Sequence, residues 1–435
     1  MKPATRKPFA VLASVPFVMV LSNSMLIPVL PALQRGLNIS LFKAGLLITA
    51  FSVVAGLVIP LAGIGSDYWG RKTVMVPALF LFGLGGLVAG LAPVFFKNAA
   101  YPVIIAGRII QGVGGGGTYQ VALALAGDIF QSKERSKVMG LLEAANGLGK
   151  VISPILGAAL GIINWYVPFF AYPALAWASA AGLWLVVREP KEKAQPRSLS
   201  AYRKDLQEVF AGRGLPLAAA FASGAVVLFM LFGVLSWYSD VLEKDYHITG
   251  IVKGLVIAIP VLVLSVTAWL GGTTLQHHLS RWLRATVMAG LALGAAALAG
   301  LIFARGIYWV TAALVLLGFG NGLVLPTLNT GVTSSAGESI RGLVTALYGT
   351  VRFFGAALGP PAFGLMVDMG VTLTFALAAG LLAAVGVMVF FWLDQKKLLP
   401  PEMAKAGKAR QPKQRRAKKV RPVGPLVRLG NDDDG

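Results

Sequence analysis

The sequence lacks cysteine and is poor in charged residues. None of its 435 residues is cysteine, which excludes a disulfide framework, a thiolate metal site and a cysteine nucleophile. Three histidines are too few to favour a multi-histidine metal site, and we expect neither a metal nor a cofactor. Charged residues make up 13% of the chain and apolar residues 56%, whereas soluble proteins carry roughly a quarter charged residues. The composition therefore predicts an integral membrane protein.

Long apolar segments predict twelve membrane-spanning helices. A spanning helix needs roughly 20 apolar residues, and six such segments lie on either side of a polar break. The first segment is too long for a signal-peptide core and ends in prolines rather than in a small-residue cleavage site. The predicted spans are 9–32, 42–64, 74–94, 101–126, 137–160, 165–187, 215–238, 251–273, 285–304, 307–333, 342–366 and 371–393. The predicted domains are an N-terminal six-helix bundle (1–187), a cytoplasmic linker (188–214), a C-terminal six-helix bundle (215–393) and a disordered basic tail (394–435).

The excess of basic residues is a topology signal. Lys and Arg number 39 against 18 Asp and Glu, which gives a formal net charge of +21. Most of the basic residues lie on the side that holds both termini, and by the positive-inside rule that side is the cytoplasm. The basic tail could bind nucleic acid, but its place after the last span favours anionic lipid headgroups, so we expect the bilayer and no nucleic acid as a partner. The loops of the opposite side hold Arg35, Lys97, Lys244 and Arg305.

An internal repeat relates the two groups of six spans. A Gly-x-x-x-small-Pro pattern that runs from Gly149 to Pro154 in the fifth span returns from Gly355 to Pro360 in the eleventh, 206 residues later. Two similar halves joined by a linker are typical of transporters built from parallel repeats. We therefore expect the two bundles to be related by a pseudo-twofold axis.

Glycine and charged residues at fixed spacing follow the second span. The pattern resembles G-x-L-x-D-x-x-G-R-K, the signature loop of the major facilitator superfamily, with Gly65 at the position of a large apolar residue. Glycines allow helices to approach closely and permit a tight turn, and an aspartate at a helix end can pair with arginine or accept helix amides. The resemblance implies a latch that holds the outward-facing state. The latch residues are Gly63, Asp67, Gly70, Arg71 and Lys72.

Two further segments resemble motifs of the same superfamily. Arg108, Gln111 and the glycines after them are similar to R-x-x-Q-G-x-G, a motif associated with proton coupling. This stretch also matches the dinucleotide fingerprint, but no strand precedes it and it lies inside an apolar span. The fifth span is similar to the antiporter motif G-x-x-x-G-P-x-x-G-G, although a kinked packing helix would carry the same small residues. Its motif residues are Gly149, Ser153, Pro154 and Gly157, with Ser153 and Ala158 departing from the pattern.

Ionisable residues within spans are the candidate functional residues. Insertion of a charged side chain at the centre of a span costs roughly 2.5–3.5 kcal/mol of free energy on insertion scales. Such residues therefore line cavities or pair with one another. Glu143 and Lys150 share a helix face about 10.5 Å apart. We interpret Glu143 as the proton-carrying acid, acting with Arg108; a structural role remains open, and Asp67 is a competing coupling residue. Arg352 is either a substrate counter-ion or a structural cation. The candidate substrate cavity comprises Asn23, Gln111, Asn146, Lys150 and Arg352.

The motifs together are most similar to the twelve-span drug:proton antiporters, in the branch of Gram-positive multidrug efflux proteins and siderophore exporters. This resemblance implies a monomeric, proton-coupled exporter of hydrophobic or amphiphilic compounds in the bacterial cytoplasmic membrane. Two features leave open a dedicated exporter of an anionic metabolite such as a siderophore. The chain has Asn23 where many such antiporters carry an acid, and its spans are net basic. A receptor, an ATP-driven pump or an enzyme would need a signalling domain, a nucleotide domain or a catalytic cluster, and the sequence predicts none of them.

Overall fold

A computed structural model describes residues 3–130, 132–189, 199–274, 279–336 and 340–399. Every regular element within these ranges is helical. Two short 3-10 turns, Ile27–Val29 and Lys97–Ala99, join helices of the first half. The α-helices are α1 Pro3–Ser24, α2 Leu30–Leu37, α3 Leu41–Trp69, α4 Arg71–Phe96, α5 Ala100–Gly116, α6 Tyr119–Ile129, α7 Ser132–Ile163, α8 Pro168–Val186, α9 Leu199–Lys244, α10 Gly250–Thr274, α11 Leu279–Phe303, α12 Ile307–Ser335, α13 Arg341–Asp368, α14 Val371–Trp392 and α15 Gln395–Leu398.

The predicted all-α membrane fold of two six-helix bundles is confirmed, with one difference in the fourth span. Eleven helical segments among the described residues are long and apolar enough to cross a membrane. The fourth predicted span, 101–126, is not one helix, because α5 ends at Gly116 and α6 begins at Tyr119. Neither α5 nor α6 is among the eleven segments, and the two helices together occupy the place of the predicted span.

The glycine run 114–117 causes this break. Glycine is a poor helix former, and here the missing side chains also let α5 pack backbone to backbone on its neighbours. A Cβ at Gly116 would lie 2.8 Å from the Ala55 carbonyl oxygen of α3. At the end of α5, the Gly115 carbonyl accepts hydrogen bonds from the Thr118 backbone amide at 3.3 Å and from the Thr118 hydroxyl at 2.7 Å. The chain then starts a new helix, which begins at Tyr119.

The sequence repeat corresponds to equivalent helix packing in the two halves. A Cβ at Gly149 of α7 would lie 3.1 Å from the Phe17 carbonyl oxygen of α1. A Cβ at Gly355 of α13 would lie 2.7 Å from the Ala225 carbonyl carbon of α9. In each half, therefore, the glycine-rich helix packs closely against the first helix of the same half.

The two halves pack against each other toward one end of the molecule. We call the end where α3 meets α4, and where α9 begins, the linker end, and the opposite end the far end. Toward the far end, the Ser239 hydroxyl of α9 donates to the Ile27 carbonyl at 2.7 Å. On the other side of the interface, a Cβ at Gly254 of α10 would lie 2.7 Å from the Pro154 carbonyl oxygen of α7. These contacts close the interface between the halves at the far end.

The linker end is open by comparison. Gly63 of α3, Gly140 of α7 and Gly342 of α13 lie near this end, and among the described residues no atom is within 4 Å of a Cβ built at any of them. The close helix approach expected at Gly63 is thus not made in this conformation. The halves therefore pack more closely at the far end than at these three positions of the linker end.

Two predicted boundaries need adjustment. Within the predicted linker 188–214, α9 already begins at Leu199 and passes through a non-helical Arg213 (φ −137°, ψ 21°) before it continues. The predicted disorder does not begin at residue 394, because α15 follows directly and Leu398 is buried. The rest of the basic tail, 400–435, lies outside the described residues.

Candidate functional site

Arg108 is held by uncharged groups. Its side chain is fully buried and stacks on the Phe51 ring with 4.7 Å between the guanidinium carbon and the ring centroid. A buried charge needs its donors satisfied, and four neutral acceptors meet that need. The acceptors are Ser22 Oγ (3.0 Å), Asn23 Oδ1 (3.0 Å), Gln111 Oε1 (2.6 Å) and the Leu47 carbonyl (2.9 Å).

This network changes the positions expected for two cavity residues. Asn23 and Gln111 are 7% and 0% exposed, and both direct their amide oxygens at Arg108. Asn23 also donates to the Ser52 hydroxyl at 2.7 Å. They therefore orient Arg108 within the N-terminal half rather than line an open cavity. Asn146, a third predicted cavity residue, is 6% exposed and donates to the Pro16 carbonyl of α1 at 3.5 Å.

Glu143 lies apart from Arg108 and has a different partner. The Tyr119 hydroxyl donates to Glu143 Oε1 at 2.5 Å. Tyr119 is the first residue of α6, so the glycine break directs this hydroxyl toward α7. Glu143 itself is exposed, which fits an acid that faces an open cavity. The predicted cooperation of Arg108 and Glu143 is not a direct contact in this structure.

Charges from both halves meet around Glu143. Lys150, on the same helix, interacts electrostatically with Glu143 and with Arg352 of α13, and Tyr119 interacts with Arg352 as well. Lys150 and Arg352 are each partly exposed. The guanidinium of Arg352 lies over the Tyr348 ring at 5.4 Å, and its Nε is buried without a hydrogen-bond partner among the described residues. We call Tyr119, Glu143, Lys150 and Arg352 the cross-half cluster.

The signature loop forms a network of charges at the linker end. Arg71 pairs with Asp67 at 2.6 Å and with Asp128 of α6 at 3.3 Å. Gly70 has a φ of +105°, which allows the sharp turn between α3 and α4 that was expected of it. The arginine thus connects the end of the second span to the second piece of the fourth span.

A carboxylate that the sequence analysis missed caps α4. Glu189 accepts the Arg71 and Lys72 backbone amides at 2.5 and 3.2 Å, the favourable position for an anion at a helix N-terminus. Lys72 in turn donates to the Trp184 and Val187 carbonyls at 2.7 and 2.9 Å. The latch residues are therefore fixed to the end of α8. In the second half, Gln395, 206 residues after Glu189, accepts the Arg284 amide of α11 at 3.4 Å.

The residues of the antiporter motif pack α7 between two helices. Ser153 is fully buried and donates to the Leu21 carbonyl of α1 at 3.4 Å, and Gly157 lies against the Met25 carbonyl. Pro154 presents its carbonyl oxygen to Gly254 of α10. The motif thus joins the first helix of its own half to a helix of the other half.

Glu243 was not among the candidate residues, because α9 extends beyond the predicted span 215–238. Glu243 is 11% exposed at its side chain and pairs with Lys253 of α10 at 2.7 Å. It also pairs with Arg35 of α2, in the opposite half. Lys253 belongs to the same half as Glu243 and is 2% exposed. One partly buried acid therefore joins the two halves at the far end.

Removal of the Arg35 charge should ease opening of the far end with little change in stability. In Arg35→Gln, Glu243 keeps its buried partner Lys253, and Arg35 is itself 62% exposed, so the pair is worth less than about 1 kcal/mol. Opening can be followed with Ser239→Cys, because the chain has no other cysteine and Ser239 is buried between the halves. We expect a membrane-impermeant maleimide to label this thiol a few-fold faster.

Lys244→Gln is the matched control for this prediction. Lys244 pairs with Asp240 within one half at 2.8 Å and is 61% exposed, similar to Arg35. Equal labelling rates in Arg35→Gln and Lys244→Gln would show that the contact between the halves does not restrain opening.

Comparisons with known proteins agree with the fold. A family model described as Major Facilitator Superfamily matches residues 12–360. The bacillibactin exporter of Bacillus subtilis (strain 168) is 37% identical over 388 residues, which are 89% of this chain and 96% of that protein. Multidrug resistance protein 2 of the same organism is 27% identical over 395 residues, 89% of this chain and 96% of that protein.

A solved structure supports the same architecture. The crystal structure of a bacterial homologue of the human lysosomal transporter Spinster, in an inward-facing and occupied conformation, superposes with a TM-score of 0.74. The match covers 92% of this chain and all of that one at 16% identity. At that identity, the likeness concerns the fold alone.

Proposed function

The chain belongs to the major facilitator superfamily, and from that premise we propose that it is a proton-coupled exporter of hydrophobic or amphiphilic organic compounds. The observation that carries the proposal is the position of Glu143. It is an exposed acid whose partner is a tyrosine hydroxyl, next to cations of both halves. Such an acid can take up and release a proton while the cavity is open, without breaking a buried ion pair.

The mechanism we propose is alternating access. The two six-helix halves, 1–187 and 215–393, move about a site near the middle of the membrane. Proton entry from the far end and substrate entry from the linker end would alternate at the cross-half cluster. Because the proton and the substrate would bind at the same cluster, one of them leaves before the other binds. Inward proton movement would therefore drive export of the substrate.

The conformational latch belongs to the same proposal. Arg71 connects Asp67 to Asp128, and Glu189 fixes the start of α4. In the described conformation, Gly63 faces open space. When the linker end closes, this surface of α3 would meet the second half, and the latch would hold the far end open.

The orientation follows from the distribution of basic residues. We propose that the linker end and both termini are cytoplasmic, in the cytoplasmic membrane of a bacterium, and that the transporter works as a monomer. The described conformation, open at the linker end, would then be inward-facing.

A dedicated exporter of an anionic metabolite is the second candidate. It is supported by the relative named for bacillibactin export and by the cations Lys150 and Arg352 of the cross-half cluster. A multidrug pump is supported by the relative named for multidrug resistance and by the exposed position of Glu143.

The experiment that tests export uses purified protein in liposomes that contain a pH-sensitive dye. A pH gradient is imposed, and ethidium, chloramphenicol or bacillibactin is then added. We expect at least one compound to speed the decay of the gradient, and the active compound separates the two candidates. No acceleration by any of the three, compared with protein-free liposomes, would contradict proton-coupled export of these classes.

A further inference from the structure

Two threonines donate hydrogen bonds across the interface between the halves. The Thr49 hydroxyl of α3 donates to the Ala357 carbonyl of α13 at 2.6 Å. The Thr350 hydroxyl of α13 donates to the Gly56 carbonyl of α3 at 2.7 Å. The two bonds are reciprocal, because each helix supplies one donor and, about 10.5 Å along its axis, one acceptor. We call this contact surface between α3 and α13 the seam.

Both acceptors are carbonyls that a proline leaves without a helical partner. In an α-helix, each carbonyl accepts the amide of the residue four positions later, and proline has no amide hydrogen. Pro60 lies at that position for the Gly56 carbonyl, inside α3. Pro361 lies there for the Ala357 carbonyl, inside α13. Within a membrane, such a carbonyl needs a partner from a neighbouring helix, and here each partner comes from the other half.

Each threonine also has a second acceptor on its own helix. The Thr49 hydroxyl lies 3.3 Å from the Gly45 carbonyl, and the Thr350 hydroxyl lies 3.1 Å from the Ala346 carbonyl. A helical threonine commonly donates to the carbonyl four residues before it. A hydroxyl has one hydrogen to donate, and in both cases the carbonyl of the other half is the nearer one. Each threonine can therefore exchange acceptors and keep a hydrogen bond.

The two hydrogen bonds lie at different depths of the seam. Toward the far end, the helices are in close contact, because a Cβ at Gly364 would lie 2.8 Å from the Phe42 backbone nitrogen. Toward the linker end, no atom of the described residues lies within 4 Å of a Cβ at Gly63. The Thr49 bond thus lies within the closed part of the seam, and the Thr350 bond lies nearer to the point where the seam parts.

We propose that Thr49 is a hydrogen-bond switch between the two conformations of the transporter and that Thr350 marks the pivot. When the far end opens, the Thr49 hydroxyl turns to the Gly45 carbonyl of its own helix, and water that enters hydrates the Ala357 carbonyl. The Thr350 bond is kept. Because the exchanged groups carry no charge, the switch operates with and without bound substrate. The inference rests on the alternating movement proposed above and adds the groups that exchange partners during it.

The test measures opening of the far end by labelling of Ser239→Cys with a membrane-impermeant maleimide, without substrate or pH gradient. In Thr49→Val, the Ala357 carbonyl has no donor while the far end is closed, whereas water reaches it once that end opens. The substitution therefore destabilises the closed far end, and we expect labelling about tenfold faster, the effect of one unsatisfied buried acceptor. Thr49→Ser keeps the hydroxyl and should label at the parent rate.

A proline variant tests whether the released carbonyl is the cause. In Pro361→Ala, the amide of residue 361 can donate to the Ala357 carbonyl within the helix, so this carbonyl no longer depends on Thr49. Added to Pro361→Ala, Thr49→Val should leave the labelling rate unchanged.

Ser265→Ala is the matched control on the other side of the interface. The Ser265 hydroxyl of α10 donates to the Gly147 carbonyl of α7 at 3.5 Å. Residue 151 is valine and lies within α7, so the Gly147 carbonyl keeps a helical amide, and we expect labelling at the parent rate. Thr350→Val loses its bond in both conformations. It should lower the thermal unfolding midpoint and leave the labelling rate unchanged.

Three results would overturn the inference. They are labelling of Thr49→Val at the parent rate, equal acceleration in Ser265→Ala, or an acceleration by Thr49→Val that persists in Pro361→Ala. Faster labelling of Thr350→Val would contradict its place at the pivot. Failure of proton-coupled export is a separate outcome, since it would appear as absent proton movement in liposomes, while the labelling experiment uses neither substrate nor a pH gradient.

Discussion

Replacement of Glu143 by glutamine should abolish proton-driven export. The amide keeps the size of the side chain and can still accept the Tyr119 hydrogen bond, so the fold and the cavity should be retained. It cannot take up a proton, and the pH gradient would then have no acid through which to act. In liposomes with an imposed pH gradient, we expect the accumulation of substrate to fall to the level of protein-free liposomes.

Exchange of labelled for unlabelled substrate should persist in Glu143→Gln, because exchange needs movement of the loaded carrier and no net proton transfer. Glu208→Gln, which removes an exposed acid near the start of α9, is the control and should export normally. Export at the full rate by Glu143→Gln under a pH gradient would show that another group carries the proton.

Gly157→Ala should destabilise the protein, and Gly140→Ala on the same helix should not. A Cβ at Gly157 would collide with the backbone carbonyl of Met25, whereas a Cβ at Gly140 meets no atom within 4 Å among the described residues. Overpacking of this kind costs about 1–3 kcal/mol. An alanine in open space can instead stabilise a helix by about 0.5–1 kcal/mol.

Thermal unfolding in detergent, followed by circular dichroism, compares the two alanine variants directly. We expect a lower midpoint for Gly157→Ala and an unchanged or higher midpoint for Gly140→Ala. Equal midpoints would show that α1 and α7 can separate at Gly157 without loss of stability. The close packing attributed to the antiporter motif would then not stabilise the fold.

The fold and several site residues could be predicted from the sequence because their signals are local. Apolar length identified the spans, and the 206-residue repeat identified the equivalent packing of Gly149 and Gly355. The turn at Gly70 and the pairing of Asp67 with Arg71 followed from residue type and spacing. In each case, the deciding interaction lies within one helix or one turn, or is repeated in both halves.

The remaining features depend on contacts between distant segments. Arg108 and Glu143 were expected to act together, but the helix break before Tyr119 gives Glu143 a separate partner. Glu189 caps α4 from the end of α8, which no local pattern indicates. The predicted span 215–238 ends before Glu243, because apolar length ends there, although α9 extends through Lys244.

The most direct test of proton-coupled export is the direction of substrate flux at equal substrate concentrations on both sides of a liposome membrane. The compound used is the one of ethidium, chloramphenicol and bacillibactin that gives the largest proton signal. We expect net flux opposite to the proton gradient, a reversed flux when the gradient is reversed, and no flux with a protonophore. A flux whose direction ignores the sign of the pH gradient would contradict the account.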